Sequence, residues 1–597
     1  MVSLLKFDNL NNTLNILTVN NLKDKKRIAI LGGGPSGLFM YKRFVDANST
    51  DLIIDIFEKK KQLGAGMPYS LEGANDEHIT NVSGNEIPEL VTSIEEWIQT
   101  VPKDTLSHFH IDPDKFNDYK VLPRLLFGRY LAAQFDLLLQ KAKEIGMVTN
   151  LHLNSAVTDI IDYPTQEMVM VEIAGNEVYE YDHVIICTGH KWPVKHEGVI
   201  PGYYDSPYPP SKLSIKVNHP VAIKGSSLTA IDAIRTLARH NGNFDKDKDG
   251  KLFYKSAEDS AGFKMVMHSR QGLLPAIRFH LEDSHLLKDS VLSHEQIESN
   301  RAENEGFLSL DFVFEKNFKD LFKDKDPEFY SQIKDMNIEE FVPLMMDLRE
   351  RLEPFQLFKA EYIEAEKSIK RRESVYWKEI LAVLSFAMNY PAKYLSAEDM
   401  QRLQKVLMPL ISIVIAFVPQ SSVEEMLALH EAGVLDIISV GDDSYTEPEK
   451  MGGVVYHYTN ENSEVQSPYY KTFVDCVGQP HLSYDELPYP SLLSKKTVSP
   501  ARLKFKDANA ALKEIENGNK KVEVDSQGNY TLQVPGITIN DSFQAVDDYN
   551  ALNERIYIMA VPYIGGYNPD YSGLDFSEAA SAAVGKSILK IGLAYEL

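Results

Sequence analysis

A glycine-rich turn between two short apolar runs constrains the fold of this chain more than any other feature. Gly32, Gly34 and Gly37 stand at G-x-G-x-x-G spacing after a β-rich run, and apolar residues at helical spacing follow them. Gly32 permits a tight turn, Gly34 lets the backbone approach a pyrophosphate, and Gly37 permits close packing of helix on strand. Free N–H groups at the helix N-terminus, next to Pro35 and Ser36, face phosphates in such a unit. The turn therefore predicts a Rossmann-like α/β domain that binds a dinucleotide.

A carboxylate stands where a unit of this kind binds a ribose. A buried strand is predicted over 52–57, and Glu58 follows it, 21 residues after Gly37. A carboxylate there accepts hydrogen bonds from a ribose diol and disfavours a 2′-phosphate. Because strand, turn, helix, strand and acid are all in register, nucleotide binding is favoured over the alternative, a purely structural glycine turn.

A second strand, turn and helix of the same kind is predicted over 219–242. Its loop carries Gly225, Ser226, Ser227 and Ala230 in a G-x-S-x-x-A pattern. The serine at 227 adds a Cβ atom where a pyrophosphate comes close to the backbone in a complete motif. The loop therefore favours a second nucleotide site and leaves open a structural remnant of the fold.

The strand that follows this loop indicates which nicotinamide cofactor the second unit binds. It is predicted over 263–272, ends in Ser269 and Arg270, and contains no acid for a ribose diol. The planar guanidinium of Arg270 suits a 2′-phosphate, to which Ser269 or His268 can add a hydrogen bond. We therefore predict NADPH rather than NADH, with pairing of Arg270 to a nearby acid as the alternative.

Length, charge and cysteine content limit the partners of the chain. Its 597 residues exceed what one hydrophobic core organises, and its net charge of −24 repels a nucleic-acid backbone. No nucleic-acid partner is expected. The two cysteines, Cys187 and Cys476, are far apart and form no C-x-x-C pair or metal site. This favours a reducing compartment, so a cytoplasmic location is expected.

Two other segments resemble a membrane span and a calcium-binding loop, but neither is interpreted as one. The apolar stretch 406–419 is shorter than a membrane span and contains a proline, so a buried core helix is predicted and no membrane span. The acidic stretch 245–250 begins like an EF-hand loop, but Ser256 stands where the bidentate glutamate is required. A solvated turn is predicted there, and no metal site.

Motifs along most of the chain are shared with a known family. They include ILGGGPSG, GAGMPYS, HITNVSG, LPRLLFGRYL, VIICTGH, VAIKGSSLTAIDA, HSRQGLLPAIR, VDCVGQP and VPYIGGYNPDYSGLDFSEAASAAVGKSIL. The chain resembles the FAD/NAD(P)-binding family of two-dinucleotide-domain flavoproteins, and within it the N-hydroxylating flavin monooxygenases of the aspartate and ornithine types. The segment from 279 to 435 carries no matching motif.

The resemblance implies FAD in the first site and NADPH in the second, because such flavoproteins place the FAD fingerprint first. It implies that Thr188 and Gly189, at the end of an ATG-like strand, contact FAD. His190, the next residue, is interpreted as a neighbour of the cofactor rather than as a catalytic base, and no catalytic residue is identified.

Four further residues are implied as FAD contacts by the same resemblance. Asn81 supplies a polar group on a loop beside the flavin, and Gly573 and Leu574 begin a helix that presents N–H groups to the flavin pyrimidine. Arg124 is expected to meet the pyrophosphate or the anionic N1–C2 edge of the flavin, with a surface ion pair as the alternative.

The predicted fold class is α/β, with two Rossmann-like domains and a mainly helical insert, and each nucleotide domain is discontinuous in sequence. The insert is expected to pack over the cleft between the domains. The predicted boundaries are 1–24 for a leader, 25–210 and 487–597 for the FAD domain, 211–278 and 436–486 for the NAD(P)H domain, and 279–435 for the helical insert.

The function implied by the resemblance is NADPH-dependent hydroxylation of the nitrogen of a small amino acid or amine, through a C4a-hydroperoxyflavin and with O₂ as co-substrate. Two alternatives stay open: an NAD(P)H-dependent flavin reductase or oxidase without oxygen insertion, and a flavin-bound scaffold without enzymatic activity. The absence of a C-x-x-C pair argues against a disulfide reductase. The sequence leaves the substrate and the oligomeric state open.

Overall fold

The computed structural model of the chain describes residues 25–282, 292–479, 481–525, 527–569 and 573–590. The leader predicted over 1–24 lies outside these residues.

Twenty-five strands are described in these ranges. In chain order they are β1 (Lys26–Leu31), β2 (Leu52–Glu58), β3 (Ile79–Ser83), β4 (Val121–Pro123), β5 (Val148–Leu153), β6 (Val157–Tyr163), β7 (Met168–Ile173), β8 (Val178–Tyr181), β9 (His183–Ile186), β10 (Tyr203–Tyr204), β11 (Pro220–Lys224), β12 (Gly242–Lys246), β13 (Leu252–Ser256), β14 (Lys264–Ser269), β15 (Leu435–Ser439), β16 (Tyr445–Pro448), β17 (Val454–Thr459), β18 (Val465–Gln466), β19 (Tyr469–Tyr470), β20 (Thr472–Asp475), β21 (Pro500–Lys504), β22 (Val522–Val524), β23 (Tyr530–Ile537), β24 (Gln544–Val546) and β25 (Leu552–Ile558).

Eighteen α-helices are described in the same ranges. In chain order they are α1 (Pro35–Asp46), α2 (Ile94–Ile98), α3 (Lys103–His108), α4 (Arg124–Glu144), α5 (Leu228–Asn241), α6 (His294–Glu303), α7 (Leu310–Asn317), α8 (Phe322–Lys325), α9 (Pro327–Ile333), α10 (Ile338–Arg351), α11 (Pro354–Arg371), α12 (Tyr376–Met388), α13 (Ala397–Arg402), α14 (Met408–Val414), α15 (Gln420–Glu431), α16 (Pro490–Ser494), α17 (Ala508–Glu516) and α18 (Gly573–Leu589).

The first dinucleotide unit forms as predicted, with β1, α1 and β2 in a parallel arrangement. Its sheet has the order β24-β25-β9-β1-β2-β5, and only the edge strand β24 is antiparallel to its neighbour. β1 and β2 are covered on both faces, which explains their nearly unbroken apolar sequences. Since β24, β25 and α18 all come from the C-terminal part of the chain, this domain is discontinuous in sequence.

The second unit is a separate parallel sheet with its own apolar core. Its order is β10-β20-β11-β14-β15, and the helix α5 follows β11 directly. The edge strand β10 precedes β11 in the chain, and its backbone pairs in parallel with β20. Together the two sheets and the helices confirm the predicted α/β fold class with a helical insert.

Between β14 and β15 the described residues form ten α-helices, α6 to α15. α10 and α11 are separate helices, because the residue before a proline disfavours helical backbone and Pro354 begins the second helix. The side chain of Glu353 caps that helix by accepting hydrogen bonds from Phe355 N and Gln356 N. The last helix, α15, packs against β13 and β15 of the second unit.

The apolar stretch 406–419 is a core element, as predicted. It contains α14, with Leu410, Ile411 and Val414 fully buried. None of the described helices combines the length and the apolar character that crossing a membrane requires. The acidic stretch 245–250 is the turn of the β12–β13 hairpin, where Asp247 accepts hydrogen bonds from Asp249 N and Lys251 N.

Candidate functional site

A cavity of about 950 Å³ opens at the carboxyl ends of β1, β2 and β9, where ligands bind in open α/β sheets. It is large enough for an extended dinucleotide. Of the twelve residues predicted to contact FAD, all but Gly37 line it: Gly32, Gly34, Pro35, Ser36, Glu58, Asn81, Arg124, Thr188, Gly189, Gly573 and Leu574. The structure therefore brings together residues that are separated by more than 500 positions in sequence.

The glycines of the first turn are packed as the motif requires. Gly32 has φ +108°, and a Cβ atom on it would lie 2.7 Å from the carbonyl oxygen of Cys187. A Cβ atom on Gly37 would lie 2.1 Å from the carbonyl oxygen of Gly32, so Gly37 serves the packing of α1 on the turn. Gly34 caps α1 and faces Gly66 in the cavity wall.

Glu58 is held in place at the end of β2 by backbone donors. It is buried; its Oε2 accepts a hydrogen bond from Gly33 N at 2.8 Å, and its Oε1 accepts one from Lys60 N at 3.0 Å. A carboxylate oxygen has lone pairs for more than one donor, so both oxygens can still accept from a diol in the cavity.

Two helices begin at the cavity wall, and they touch each other. α1 begins at Pro35 and α18 begins at Gly573, while Ser36 Oγ and Ser577 Oγ lie 3.2 Å apart. Gly573 has φ +64° and no atom within 4 Å of the position of a Cβ. The N–H groups and positive dipole ends of both helices therefore lie at the cavity, as an anionic ligand requires.

Arg124 lines the cavity and forms a buried ion pair, rather than the surface pair considered as the alternative. Its Nη1 donates to Asp232 Oδ2 at 2.5 Å and its Nε donates to Ile79 O at 3.1 Å. Tyr208 lines the cavity too, and its hydroxyl donates to the same Asp232 oxygen at 2.7 Å. Asp232 belongs to α5, so this contact joins the two dinucleotide units.

Asp232 and Tyr208 are site residues that sequence reasoning missed. The signal was a polar stripe on α5, in which Thr229, Asp232 and Thr236 recur at three- and four-residue spacing on a helix that is otherwise largely apolar. Thr229 lines the cavity and Thr236 lies 3.1 Å from His78 Nε2. This face of α5 therefore turns toward the first unit.

Arg278 was also missed, and it holds the loop that carries Asn81. Its guanidinium donates to the Asn81 carbonyl oxygen, to Glu86, and to Ser83 Oγ at 2.7 Å. Arg278 follows β14 of the second unit, so a second buried arginine contact joins that unit to the cavity wall.

The second glycine turn has the geometry of a nucleotide loop but does not line the cavity, except through Thr229. Gly225 has φ +106°, Ser226 Oγ donates to Leu273 O at 2.7 Å, and Ala230 is fully buried. Ser227 is exposed and caps α5 without a side-chain hydrogen bond. The N-terminus of α5 is thus open to an anion.

The side chain of Arg270 is exposed at the end of β14, beside this turn. Its Nη1 lies 3.7 Å from Asp442 Oδ1, and both side chains are more than 70% exposed. Solvent weakens such a pair, so the guanidinium is available to a phosphate. Ser269 precedes it and is half-buried. His268, in contrast, is buried and its ring stacks on Tyr456 at 4.1 Å.

The wall nearest the second unit is aromatic. His190, Trp192 and Tyr208 line it, with ring centroids 5.8 Å apart for the first two and 5.1 Å apart for the last two. Burial lowers the pKa of His190, so the ring is neutral at neutral pH. Trp192 Nε1 is buried and has no hydrogen-bond partner among the described residues. This part of the wall offers apolar surface and an indole donor.

The two cysteines are buried, unpaired thiols. Cys187 lines the cavity and Cys476 lies beside the second glycine turn. Burial raises the pKa of both thiols, so neither is a thiolate at neutral pH.

No described residue of the helical insert, 279–435, lines the cavity, and its expected packing over the cleft between the domains stays a prediction. The insert attaches outside the cavity, where Tyr390 and Tyr394 donate to Asp541 at 2.8 Å and Glu398 accepts from Lys506 N and Asp507 N. Apolar residues at helical spacing show that one face of a helix is buried, but they do not show against which surface that face packs.

Two family models match the chain. An FAD-NAD(P)-binding model matches residues 29–191, and a YdhS-like middle domain model matches residues 293–415. The chain is 28% identical over 475 residues to the uncharacterized protein YdhS of Escherichia coli (strain K12), covering 78% of this chain and 86% of YdhS.

Among solved structures, the chain is similar to the FAD-bound cadaverine monooxygenase DfoA of Erwinia amylovora, at 10% identity and a TM-score of 0.43, with 95% of each chain covered. It is also similar to the lysine monooxygenase NbtG of Nocardia farcinica, at 13% identity and a TM-score of 0.38, with 94% of this chain and 99% of NbtG covered. Each activity is that of the named protein. Residues 29–191 are thus similar to FAD-NAD(P)-binding domains, as the sequence predicts, and residues 293–415 are similar to the YdhS-like middle domain.

Proposed function

We propose that this protein is an FAD-dependent oxidoreductase that uses NADPH as its reductant and acts on a small molecule. One observation carries the proposal: the residues of the first dinucleotide motif, the start of α18 and Thr229 of the second unit line a single cavity. A cofactor in that cavity would therefore lie within reach of a nucleotide bound to the second unit.

The described residues fit FAD in this cavity. Gly34 and Gly66 leave room only for backbone beside a pyrophosphate, and the N-terminus of α1 offers N–H groups to its charge. Glu58, fixed by Gly33 N, would accept from a ribose diol, and the start of α18 would stabilise negative charge on a flavin pyrimidine. Bound FAD would supply two-electron chemistry with a nicotinamide and with O₂.

NADPH is proposed for the second turn on the basis of two features. The exposed Ser227 caps α5, and the N-terminus of this helix is open to a phosphate. The exposed Arg270 follows the adjacent strand, β14. The strand β14 (Lys264–Ser269) carries no carboxylate to bind a free ribose diol.

Oxygen insertion into the nitrogen of a small amine or amino acid is the finer part of the proposal. The aromatic wall of His190, Trp192 and Tyr208 would exclude water, and a neutral His190 leaves the wall without an added positive charge. The protonated, unpaired thiols support this chemistry over disulfide reduction. Buried free thiols are also compatible with the proposed cytoplasmic location.

Product analysis under ¹⁸O₂ separates the proposal from its alternatives. The FAD-loaded protein is incubated with NADPH and a panel of amines and amino acids, and hydroxylated nitrogen is sought by mass spectrometry. One ¹⁸O atom in a product, with less H₂O₂ than NADPH consumed, supports monooxygenation. Stoichiometric H₂O₂ with every compound favours the oxidase, and NADPH consumption that requires another acceptor favours the reductase. No NADPH consumption in any mixture favours the scaffold.

A further inference from the structure

A residue of the second unit, Asp232, holds two side chains of the cavity wall. Arg124 and Tyr208 both line the cavity, and both are bonded to the same carboxylate oxygen of Asp232 on α5. Asp232 therefore links Arg124 to Tyr208 in the cavity wall, and it lies on α5 of the second unit.

The charges of Asp232 and Arg124 each need the other as a partner. The side chain of Asp232 is 6% exposed and that of Arg124 is 15% exposed, so neither charge is well hydrated. Burial raises the pKa of the Asp232 carboxyl, but Arg124, His78 and the Tyr208 hydroxyl outweigh burial, and the net result is a lowered pKa. Asp232 is thus an anion at neutral pH, and removing it would leave a buried guanidinium without its counter-charge.

Backbone contacts extend the effect of Asp232 to the segment that carries Asn81. Arg124 N donates to His78 O at 2.8 Å, and Arg124 Nε donates to Ile79 O at 3.1 Å. The His78 ring lies 3.2 Å from Asp232 O. β3, which begins at Ile79 and includes Asn81, is therefore fastened to α5 through Arg124 and His78.

We propose that Asp232 is a positioning residue for FAD: from the second unit it fixes Arg124 and Tyr208 in the wall of the cofactor cavity, so that FAD affinity depends on the seating of α5. Asp232 does not itself line the cavity, and it acts through its two partners. The inference rests on the proposed binding of FAD but not on the proposed reaction.

A matched pair of buried acids tests the inference. Asp232→Asn removes the charge with little change of shape, and Glu425→Gln does the same at a buried acid that also binds α5, through Arg235 and Arg239 at 2.7–3.0 Å. Glu425 lies outside the cavity lining. Both variants lose a buried ion pair, so both are expected to lower the melting temperature.

FAD affinity, measured by quenching of flavin fluorescence on titration into apoprotein, separates the two variants. We expect Asp232→Asn to raise the Kd for FAD about tenfold or more, and Glu425→Gln to leave it within about twofold of wild type. Tyr208→Phe, which removes one partner of Asp232 and keeps the ion pair, should raise the Kd by a smaller factor. It serves as the test if Asp232→Asn does not fold.

Equal FAD affinity in wild type, Asp232→Asn and Tyr208→Phe would overturn the inference, and so would an equal loss in Glu425→Gln. This outcome is distinct from failure of the proposed function. A wild-type protein that binds FAD with this dependence on Asp232, but is not reduced by NADPH, would contradict the proposed reaction and leave the inference intact.

Discussion

Gly34 and Gly66 lie against each other in the wall of the cavity. A Cβ atom on Gly34 would lie 3.2 Å from the Cα of Gly66, and one on Gly66 would lie 3.4 Å from the Cα of Gly34. The two backbones are therefore in contact beside the start of α1, at the place where a pyrophosphate would bind. A single methyl group added at either glycine would therefore push the two backbones apart.

Gly34→Ala should weaken FAD binding, and Gly34→Val should abolish it. The alanine forces backbone apart, which costs about 1–3 kcal/mol, or roughly 5- to 150-fold in affinity. Gly585→Ala in α18, where the nearest atom to a Cβ is 3.5 Å away, is the control and should retain full flavin content. The measurement is flavin per chain by visible absorbance, and a yellow Gly34→Val protein of wild-type stoichiometry would disprove the assignment of the turn.

Glu58→Gln should lower FAD affinity without unfolding the domain. The amide keeps one oxygen to accept from Gly33 N or Lys60 N, but it presents no charged acceptor to a ribose diol. A hydrogen bond to a charged group contributes about 1.5–3 kcal/mol, so the Kd should rise roughly 10- to 150-fold. Isothermal titration of apoprotein with FAD checks this, and an unchanged Kd would remove Glu58 from the site.

Arg270→Ala should remove most of a preference for NADPH over NADH. A charge-assisted contact with the 2′-phosphate contributes about 1.5–3 kcal/mol, or roughly 10- to 150-fold in the ratio of kcat/KM values. Asp442→Asn is the control, because it removes the weak surface partner of Arg270 and leaves the guanidinium in place. A ratio that is the same in wild type and Arg270→Ala would exclude Arg270 as the phosphate contact, and a wild-type preference for NADH would overturn the cofactor assignment.

His268 should make the second unit less stable as the pH falls. Burial lowers the pKa of His268 from 6.5 to about 4. Below pH 6.5 the histidine is therefore protonated in the unfolded chain, whereas in the folded chain it stays neutral until the pH approaches 4. Stability is therefore lost across that window, by about 1 kcal/mol between about pH 7.5 and about pH 5.5.

His268→Phe should reduce this loss by a similar amount, because phenylalanine can keep the stack on Tyr456 and does not titrate. Urea unfolding at the two pH values measures the effect. His240→Phe, at an exposed position, is the control and should show the wild-type pH dependence. An equal pH dependence in His268→Phe and wild type would show that His268 is not the titrating group.

The dinucleotide turns could be predicted from sequence because their determinants are local. The requirement for Gly32, Gly34 and Gly37 arises within one strand, turn and helix, and the following strand places Glu58 at a fixed distance along the chain. The apolar runs of β1 and β2 likewise report burial on both faces directly.

The contacts between the units could not be predicted, because they depend on how two separately folded sheets meet. Arg124 was recognised as a cation near a cofactor, but its partner Asp232 lies 108 positions away on another domain. Arg278 reaches Asn81 across a similar boundary. In the insert, the sequence predicted helices but did not show which surfaces they pack against.

Anaerobic mixing of the FAD-loaded protein with NADPH is the most direct test of the central claim, that one cavity joins a flavin site to a nicotinamide site. We expect loss of the visible absorbance of oxidised flavin, faster with NADPH than with NADH, and slower in Arg270→Ala with NADPH. Protein that retains bound FAD but stays oxidised with both nicotinamides would show that the cavity does not join the two sites.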